Sequence, residues 1–304
     1  MQTILRGFGR GLLCATLLLA SGIVSASPYG YSVRSDVDRK LYRIDMATGV
    51  ATAIGATGFS KIEGLAISPT AELYGVNPAT AQLVKCSAIT GACTAVGALA
   101  GLPQIQTNAG LAFASTGSLY LAMNAVIYRV DPATAATAAL GGTGPALGGL
   151  AGVAPSASCA SGLYGMGANT DKGKLYCINT TNGTATLLGT VGTTPLDVGL
   201  DGDPATGLVW GVSNDDPGQV FAITPATLAV SNRNTVMLDG KAIGGFESLA
   251  VARTGTAALG DIVPTADGIA VPTLSNWMLA LLVLCTGAVA ALLLPRRRLA
   301  SKRK

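Results

Sequence analysis

Residues 41–55 read LYRIDMATGVATAIG, and this pattern returns four more times along the chain. The later copies are LVKCSAITGACTAVG from Leu83, IYRVDPATAATAALG from Ile127, LYCINTTNGTATLLG from Leu175 and, more loosely, FAITPATLAVS from Phe221. Their starts lie 42, 44, 48 and 46 residues apart. A period of roughly 40 to 50 residues indicates one repeated supersecondary unit, and it is much longer than a leucine-rich repeat of about 20 to 29 residues.

Each unit predicts four short strands. Two strands flank a turn such as Met46-Ala47-Thr48-Gly49, a third follows at segments such as GLAISP from Gly64, and a fourth at segments such as ELYGV from Glu72. Apolar residues on both faces of the first strand, as at Leu41 and Tyr42, indicate a sheet packed between two neighbours. Four short strands in each unit are typical of a β-propeller blade.

The two ends of the repeat region complement one another. The fifth unit has a third strand at ESLAVA from Glu247 but no fourth, whereas PYGYSV from Pro28 has fourth-strand character and precedes the first repeat. We therefore predict an all-β fold, a five-bladed β-propeller of four-stranded blades over residues 27–252, whose last blade is closed by the N-terminal strand. Such closure removes two free sheet edges. The repeats resemble those of bacterial β-propellers, and an open β-solenoid is the alternative.

The N-terminus has the features of a secretory signal peptide. Arg6 and Arg10 precede an apolar stretch over residues 11–20. Val24 and Ala26 are small residues at the spacing that a signal peptidase accepts. We predict that residues 1–26 are removed after Ala26 and that the chain is exported.

The C-terminus predicts a membrane helix followed by a basic cytoplasmic tail. Residues 277–294 contain no charged side chain, and 18 helical positions at about 1.5 Å each span roughly 27 Å, close to the ~30 Å core of a bilayer. Positive charge beside a span is held on the cytoplasmic side, so the propeller is expected to face outward. The basic residues are Arg296, Arg297, Arg298, Lys302, Arg303 and Lys304.

A short motif precedes this helix. It consists of Val271, Pro272, Thr273, Leu274, Ser275, Asn276 and Trp277. Motif, helix and arginine cluster together resemble the IPTL-CTERM sorting signal, a relative of the PEP-CTERM signals of Gram-negative bacteria. That pattern opens with Ile and usually has Gly after the Trp, where this chain has Val271 and Met278.

The resemblance covers residues 271–304 and has consequences for location and partners. It implies recognition by an exosortase-type processing protease. The propeller would then be membrane-anchored on the periplasmic or extracellular side, or released to the surface after tail processing. An ordinary C-terminal anchor is the alternative. Residues 253–270, rich in Gly, Thr, Pro and Asp, are predicted to be a linker between propeller and tail.

The net charge of the chain changes sign once the targeting segments are set aside. The 304 residues carry +4 overall, with 20 Lys and Arg against 16 Asp and Glu. Two of the basic residues belong to the signal peptide and six to the tail, which leaves 12 basic against 16 acidic residues. The exported part is therefore acidic, and a nucleic-acid partner has no electrostatic support.

Four of the six cysteines lie in the exported domain. Cys86 and Cys93 flank the hairpin turn of the second unit, whereas Cys159 precedes a fourth strand and Cys177 lies in the first strand of the next unit. In an oxidising compartment we expect the bridges Cys86 to Cys93 and Cys159 to Cys177, among three conceivable pairings. A metal site is the alternative, but there is no histidine and no C-x-x-C spacing, so we predict no bound metal.

Catalytic signals are weak. Without histidine, Ser-His-Asp and Cys-His mechanisms and histidine-ligated zinc are excluded. Carboxylate pairs could serve as the acid and base of a glycosidase or could bind calcium. However, Asp beside Gly and Pro is typical of tight turns, so we predict turns, no catalytic residue and no cofactor. The pairs are Asp36 with Asp38, Asp201 with Asp203, and Asp215 with Asp216.

These features together favour a cell-surface β-propeller that acts as a binding or structural module and is not an enzyme. Its expected partners are the membrane, through the C-terminal helix, and extracellular polysaccharide or another surface protein. One alternative is a carbohydrate-active hydrolase or lyase that uses Asp201, Asp203 or Asp215 near the ring axis. A second alternative is a calcium-stabilised adhesion module. Trp210 is predicted to pack in a strand rather than to line a sugar-binding groove.

Overall fold

A computed structural model describes residues 28–102, 109–192, 195 and 197–252, which include the whole of the repeat region apart from three short gaps. The predicted signal peptide, linker, sorting motif, membrane helix and basic tail all lie outside these residues. Within the described part of the chain, no helix has the length and apolar character needed to cross a membrane.

Five four-stranded antiparallel sheets make up the fold. The first contains β1 (Tyr29–Val33), β2 (Lys40–Asp45), β3 (Ala51–Ala56) and β22 (Ala250–Val251). The second contains β4 (Glu63–Ile67), β5 (Leu73–Asn77), β6 (Gln82–Cys86) and β7 (Cys93–Ala98). The third contains β8 (Gly110–Phe113), β9 (Leu119–Met123), β10 (Val126–Val130) and β11 (Thr137–Gly142).

The fourth sheet contains β12 (Leu147–Gly152), β13 (Leu163–Gly167), β14 (Lys174–Ile178) and β15 (Ala185–Thr190). The fifth contains β16 (Val198–Asp203), β17 (Leu208–Ser213), β18 (Gln219–Thr224) and β19 (Ala229–Thr235). A small hairpin of β20 (Met237–Leu238) and β21 (Lys241–Ala242) follows the fifth sheet, and a single 3₁₀ turn spans Asn169–Asp171.

The strands β4, β8, β12, β16 and β22 line a central axis and close a ring, because each contacts the next and β22 contacts β4. Matching residues of neighbouring inner strands touch, so these strands run parallel to one another. A Cβ on Gly110 would lie 2.8 Å from the nitrogen of Leu150, and one on Gly199 would lie 2.3 Å from the carbonyl carbon of Ser248. Such close backbone approach requires glycine. The predicted five-bladed propeller is confirmed, and an open solenoid is excluded.

The closely packed inner-strand positions form one layer, which consists of Gly64, Gly110, Gly149, Gly199 and Ser248. A layer of leucines fills the axis beside it. All five are buried, and the space between the inner strands leaves no room for a water molecule. The axis is therefore a packed core rather than a channel. The leucines are Leu65, Leu111, Leu150, Leu200 and Leu249.

Ring closure follows the predicted strand pairing, but the boundaries of the blades differ from those of the repeats. Tyr31 pairs with Ala250 and Gly30 with Val251, so the N-terminal strand does join the third strand of the fifth unit. However, each sheet begins with the third strand of one unit and ends with the second strand of the next. The N-terminal strand therefore completes the first sheet together with β22, and not a separate last blade as predicted. The reason is that residues 57–62 cross from the rim to the axis, whereas residues 78–81 form a tight hairpin.

Both predicted disulfides are present. Cys86 and Cys93 face each other across β6 and β7, and Cys159 is bonded to Cys177 with a Cα separation of 5.4 Å. The second bridge joins the loop after β12 to strand β14. All five sheets, the ring closure and both bridges lie within residues 28–252.

Candidate functional site

Two acidic residues lie at one end of the ring axis. Glu63 immediately precedes Gly64, and Glu247 immediately precedes Ser248 at the matching repeat position. The other three blades have Ala109, Gly148 and Val198 at this position. Only 7% of each glutamate side chain is exposed. The closed ring thus places two buried carboxyl groups where five strands converge.

Lys61 connects these glutamates to a third carboxylate. Its Nζ lies 2.9 Å from Glu63 Oε1, 3.4 Å from Asp36 Oδ2 and 3.9 Å from Glu247 Oε2. Ser35 holds the two contributing loops together, since its Oγ donates to the carbonyl oxygen of Ile62 at 2.6 Å and accepts from the Ile62 N–H at 3.1 Å. The geometry is therefore fixed by backbone contacts and not only by the ion pairs.

A fourth carboxyl group belongs to the same end of the axis. Asp197 Oδ1 accepts a hydrogen bond from the N–H of Val198 at 2.8 Å. It lies directly over Gly148, where an added Cβ would be 2.7 Å away. Glu63 Oε2 accepts from the N–H of Ala109 at 3.0 Å and so joins two neighbouring blades. We call Asp36, Lys61, Glu63, Asp197 and Glu247 the axial cluster.

Burial and proximity give these groups different proton affinities. Burial raises the pKa of Glu247 to about 8, and a hydrogen bond with Asp36 contributes. That hydrogen bond, together with the charge of Lys61, lowers the pKa of Asp36. Burial also raises the pKa of Asp197 to about 6. At neutral pH the cluster therefore holds a protonated Glu247 beside an ionised Asp36.

Lys61 keeps its charge in this setting. Burial alone would favour the neutral amine, but the hydrogen bond and charge of Glu63, aided by Glu247 and Asp36, raise the pKa of Lys61 above its ordinary value. Glu247 Oε2, by contrast, has no hydrogen-bond partner among the described residues. The cluster thus combines a proton donor, several acceptors, a fixed cation and one unsatisfied buried oxygen.

The structure separates the carboxylate pairs that the sequence brings together. Asp36 joins the axial cluster, whereas Asp38 accepts from the hydroxyl of Tyr42 and forms an ion pair with Arg34. Asp215 and Asp216 lie in the loop between β17 and β18. In the described part of the chain, no three Asp, Glu or Cys side chains are placed to share a metal ion.

Asp203 and Asp201 have different structural roles. Asp203 opens a turn as predicted, with Oδ1 accepting from the N–H of Ala205 at 3.0 Å. The interpretation of Asp201 as a turn residue is wrong, because it lies inside β16 and is 6% exposed. Its Oδ2 accepts from the N–H of Val251 at 2.7 Å. The closing strand β22 is short, and this side chain supplies a bond between it and the fifth sheet.

Trp210 lies in β17 and is 3% exposed, packed in the core among residues such as Tyr42 and Phe246. The prediction that it packs in a strand is confirmed. The sequence reasoning did not single out Glu63, Glu247, Lys61 or Asp197. A signal did exist, because KIEGLA and GFESLA place both glutamates at the same repeat position.

Comparisons with known proteins do not assign a family. No family model matches the chain, and no curated protein matches it. Among solved structures, one similar chain is the selenomethionine-substituted virginiamycin B lyase from Staphylococcus aureus. The similarity covers 77% of this chain and 72% of that one, with 14% sequence identity and a TM-score of 0.40.

Proposed function

We propose that this protein is an exported cell-surface binding module whose propeller takes its ligand at the axial cluster. The observation that carries the proposal is Glu247, a carboxyl group with 7% exposure and one oxygen without a hydrogen-bond partner among the described residues. A buried acceptor without a donor costs about 1 to 3 kcal/mol, and a bound hydroxyl group would recover that cost. A purely structural axis would be more stable with an apolar residue here.

The chemistry of the cluster suits a polyhydroxylated ligand such as extracellular polysaccharide. Sugar hydroxyls donate to carboxylates and accept from an ammonium group, and Glu63 and Lys61 offer both within 2.9 Å of each other. Another surface protein with exposed hydroxyl or amine groups is the second partner class. The two disulfides agree with an oxidising compartment.

The resemblance of the C-terminal segment to a sorting signal supports the location of the protein. In this proposal an exosortase-type protease recognises the motif from Val271, and the propeller is held at the membrane or released to the surface. Mass analysis of the mature protein from cells that contain such a protease should find a C-terminus upstream of the basic tail. A mature protein that still ends at Lys304 would exclude processing by the protease and would be consistent only with anchoring by the tail.

A second candidate function is a carbohydrate-active hydrolase or lyase. The observation that favours it is the protonated Glu247 beside the ionised Asp36, since paired carboxyl groups with separated pKa values serve as acid and base in such enzymes. Here Glu247 would donate the proton. This assignment replaces Asp201, Asp203 and Asp215 as the proposed catalytic residues.

One experiment addresses both functions. Residues 27–262 are applied to a glycan array, and bound glycans are then incubated with the protein and analysed by mass spectrometry. We expect Lys61→Gln to weaken binding at least tenfold, because the substitution removes the cation that links Asp36, Glu63 and Glu247. Cleaved glycans that form with the parent protein but not with Glu247→Gln would support the hydrolase or lyase function.

The matched control is Lys85→Gln. Lys85 also pairs with a glutamate, Glu72, but on the surface away from the axis. Binding that is equal in Lys61→Gln, Lys85→Gln and the parent would contradict the axial cluster as the binding site.

A further inference from the structure

One pair of facing strand positions recurs in all five blades. In each sheet an aromatic residue of the second strand faces a residue of the third strand: Tyr31 with Arg43, Tyr74 with Lys85, Tyr120 with Arg129, Tyr164 with Cys177 and Trp210 with Ala222. The residue two places before each aromatic lies on the same face of its strand. These residues are Tyr29, Glu72, Ser118, Gly162 and Leu208.

In two blades, the cation of the third strand interacts with the residue two places before the aromatic. In the first, the guanidinium of Arg43 lies 4.9 Å from the centre of the Tyr29 ring. In the second, the Nζ of Lys85 forms an ion pair with the carboxylate of Glu72.

Two other blades carry no charge at this position. In the fourth, Cys177 is bonded to Cys159. In the fifth, the position holds Leu208 and Ala222, which are both apolar.

The third blade differs from the other four. Ser118 stands where the second blade has Glu72, and exposed Arg129 makes no ion pair within the residues that the structure describes. Both line a groove of about 580 Å³ between the turn after β8 and the turn after β10. Pockets of roughly 300 to 1,000 Å³ hold small ligands. Compared with the second blade, this blade keeps a cation, Arg129, but has Ser118 in place of the carboxylate that pairs with it.

The rest of the lining suits a polar ligand with an anionic group. Thr116 and Ser118 supply hydroxyl groups to the groove. Asp131 is the acidic residue of the groove, but its Oδ1 accepts from the N–H of Ala133 at 2.8 Å. Hydrogen bonds from the N–H of Ala133 and from the side chain and backbone of Thr134 lower the pKa of Asp131, so its carboxylate is already engaged by its own turn.

We propose that this groove binds a carboxylate-bearing saccharide, such as a uronic acid unit of an acidic polysaccharide. The ligand carboxylate takes the place that the side chain of Glu72 has in the second blade. Arg129 binds it through two parallel N–H groups, and the hydroxyls of Thr116 and Ser118 bind the sugar ring. The site lies at the opposite end of the inner strands from the axial cluster and is independent of the function proposed there.

Titration calorimetry of the full chain in detergent tests the proposal. The probes are a trisaccharide of uronic acids, its neutral hexose counterpart and a sulfated counterpart. We expect the uronate to bind at least tenfold more tightly than either of the others, and high salt to weaken it. Arg129→Gln should reduce its affinity at least tenfold, and Arg129→Lys should reduce it less, because lysine keeps the charge without the planar pair of donors.

In the Ser118→Glu variant, the introduced carboxylate should occupy the proposed binding site. The new carboxylate should pair with Arg129, as Glu72 pairs with Lys85, and abolish uronate binding while the chain remains folded. Lys85→Gln is the matched control and should bind as the parent does. Binding that persists in Ser118→Glu, equal affinity for the neutral sugar, preference for the sulfated sugar, or no binding at all would each overturn the proposal.

Discussion

Replacing Gly199 with alanine is expected to lower the free energy of unfolding by about 4 kcal/mol. An added Cβ would lie 2.3 Å from the carbonyl carbon of Ser248 and 2.6 Å from the nitrogen of Leu249. Both atoms belong to backbone of the closing inner strand, so no side-chain rotation can relieve the clash. The inner strands would have to separate, and the leucine layer would lose its packing. Chemical denaturation of oxidised residues 27–262 measures the change.

Gly192→Ala is the matched control for this substitution. A Cβ on Gly192 would meet no atom within 4 Å, so we expect a change within about 0.5 kcal/mol. Any gain from the reduced entropy of the unfolded chain applies to both variants and cancels in their comparison. Similar losses for the two variants would show that the axis can expand, contrary to the close backbone contacts between Gly199 and Ser248.

The sequence predicts the number of blades because strand alternation and turns are local features. Each copy of the pattern in residues 41–55 carries its own two strands and turn, so counting copies counts blades. The position along the repeat at which one blade ends and the next begins is not a local feature. The connections over residues 34–39 and 57–62 have the same length, yet the first forms a hairpin and the second crosses to the next inner strand. Only packing around the axis distinguishes them.

The axial cluster could not be predicted from neighbouring residues. Glu63 lies two residues after Lys61, but Glu247 is distant in sequence and only ring closure brings it to Lys61. For Asp201, the local sequence predicts the wrong structural role. Its local sequence, LDGDPATG, has the composition of a turn, but its carboxylate is needed for a bond to Val251, which is distant in sequence. Local composition identifies turn formers and does not reveal long-range hydrogen bonds.

Replacing Glu247 with glutamine is expected to flatten the dependence of stability on pH. In the folded chain burial keeps a proton on Glu247 up to about pH 8, whereas the unfolded chain releases it near pH 4.5. The folded state therefore binds more protons across this window, and its free energy of unfolding falls as pH rises. Glutamine does not titrate, so the variant should match the parent near pH 4 and exceed it by about 4 kcal/mol at pH 8.

The other acidic groups of the cluster determine the shape of the remaining profile. Asp197, whose pKa is raised to about 6, contributes stability that is complete below pH 3.8 and is lost as pH rises through 6. The pKa of Asp36 is lowered, so its contribution is present above pH 3.8 and is lost only in stronger acid. The Asp197 effect persists in Glu247→Gln, and the glutamine amide can still donate a hydrogen bond to Asp36, so neither effect produces the difference between variant and parent.

Glu72→Gln is the control, because Glu72 pairs with Lys85 at the surface and its pKa is lowered. This variant should gain no stability at pH 8. A Glu247→Gln variant that is less stable than the parent at pH 8 would mean that Glu247 is ionised and holds Lys61 as a salt-bridge partner. In that case the proton-donor role assigned to Glu247 would be wrong, and the acid of the cluster would have to be Asp197, whose pKa lies closest to neutrality after that of Glu247.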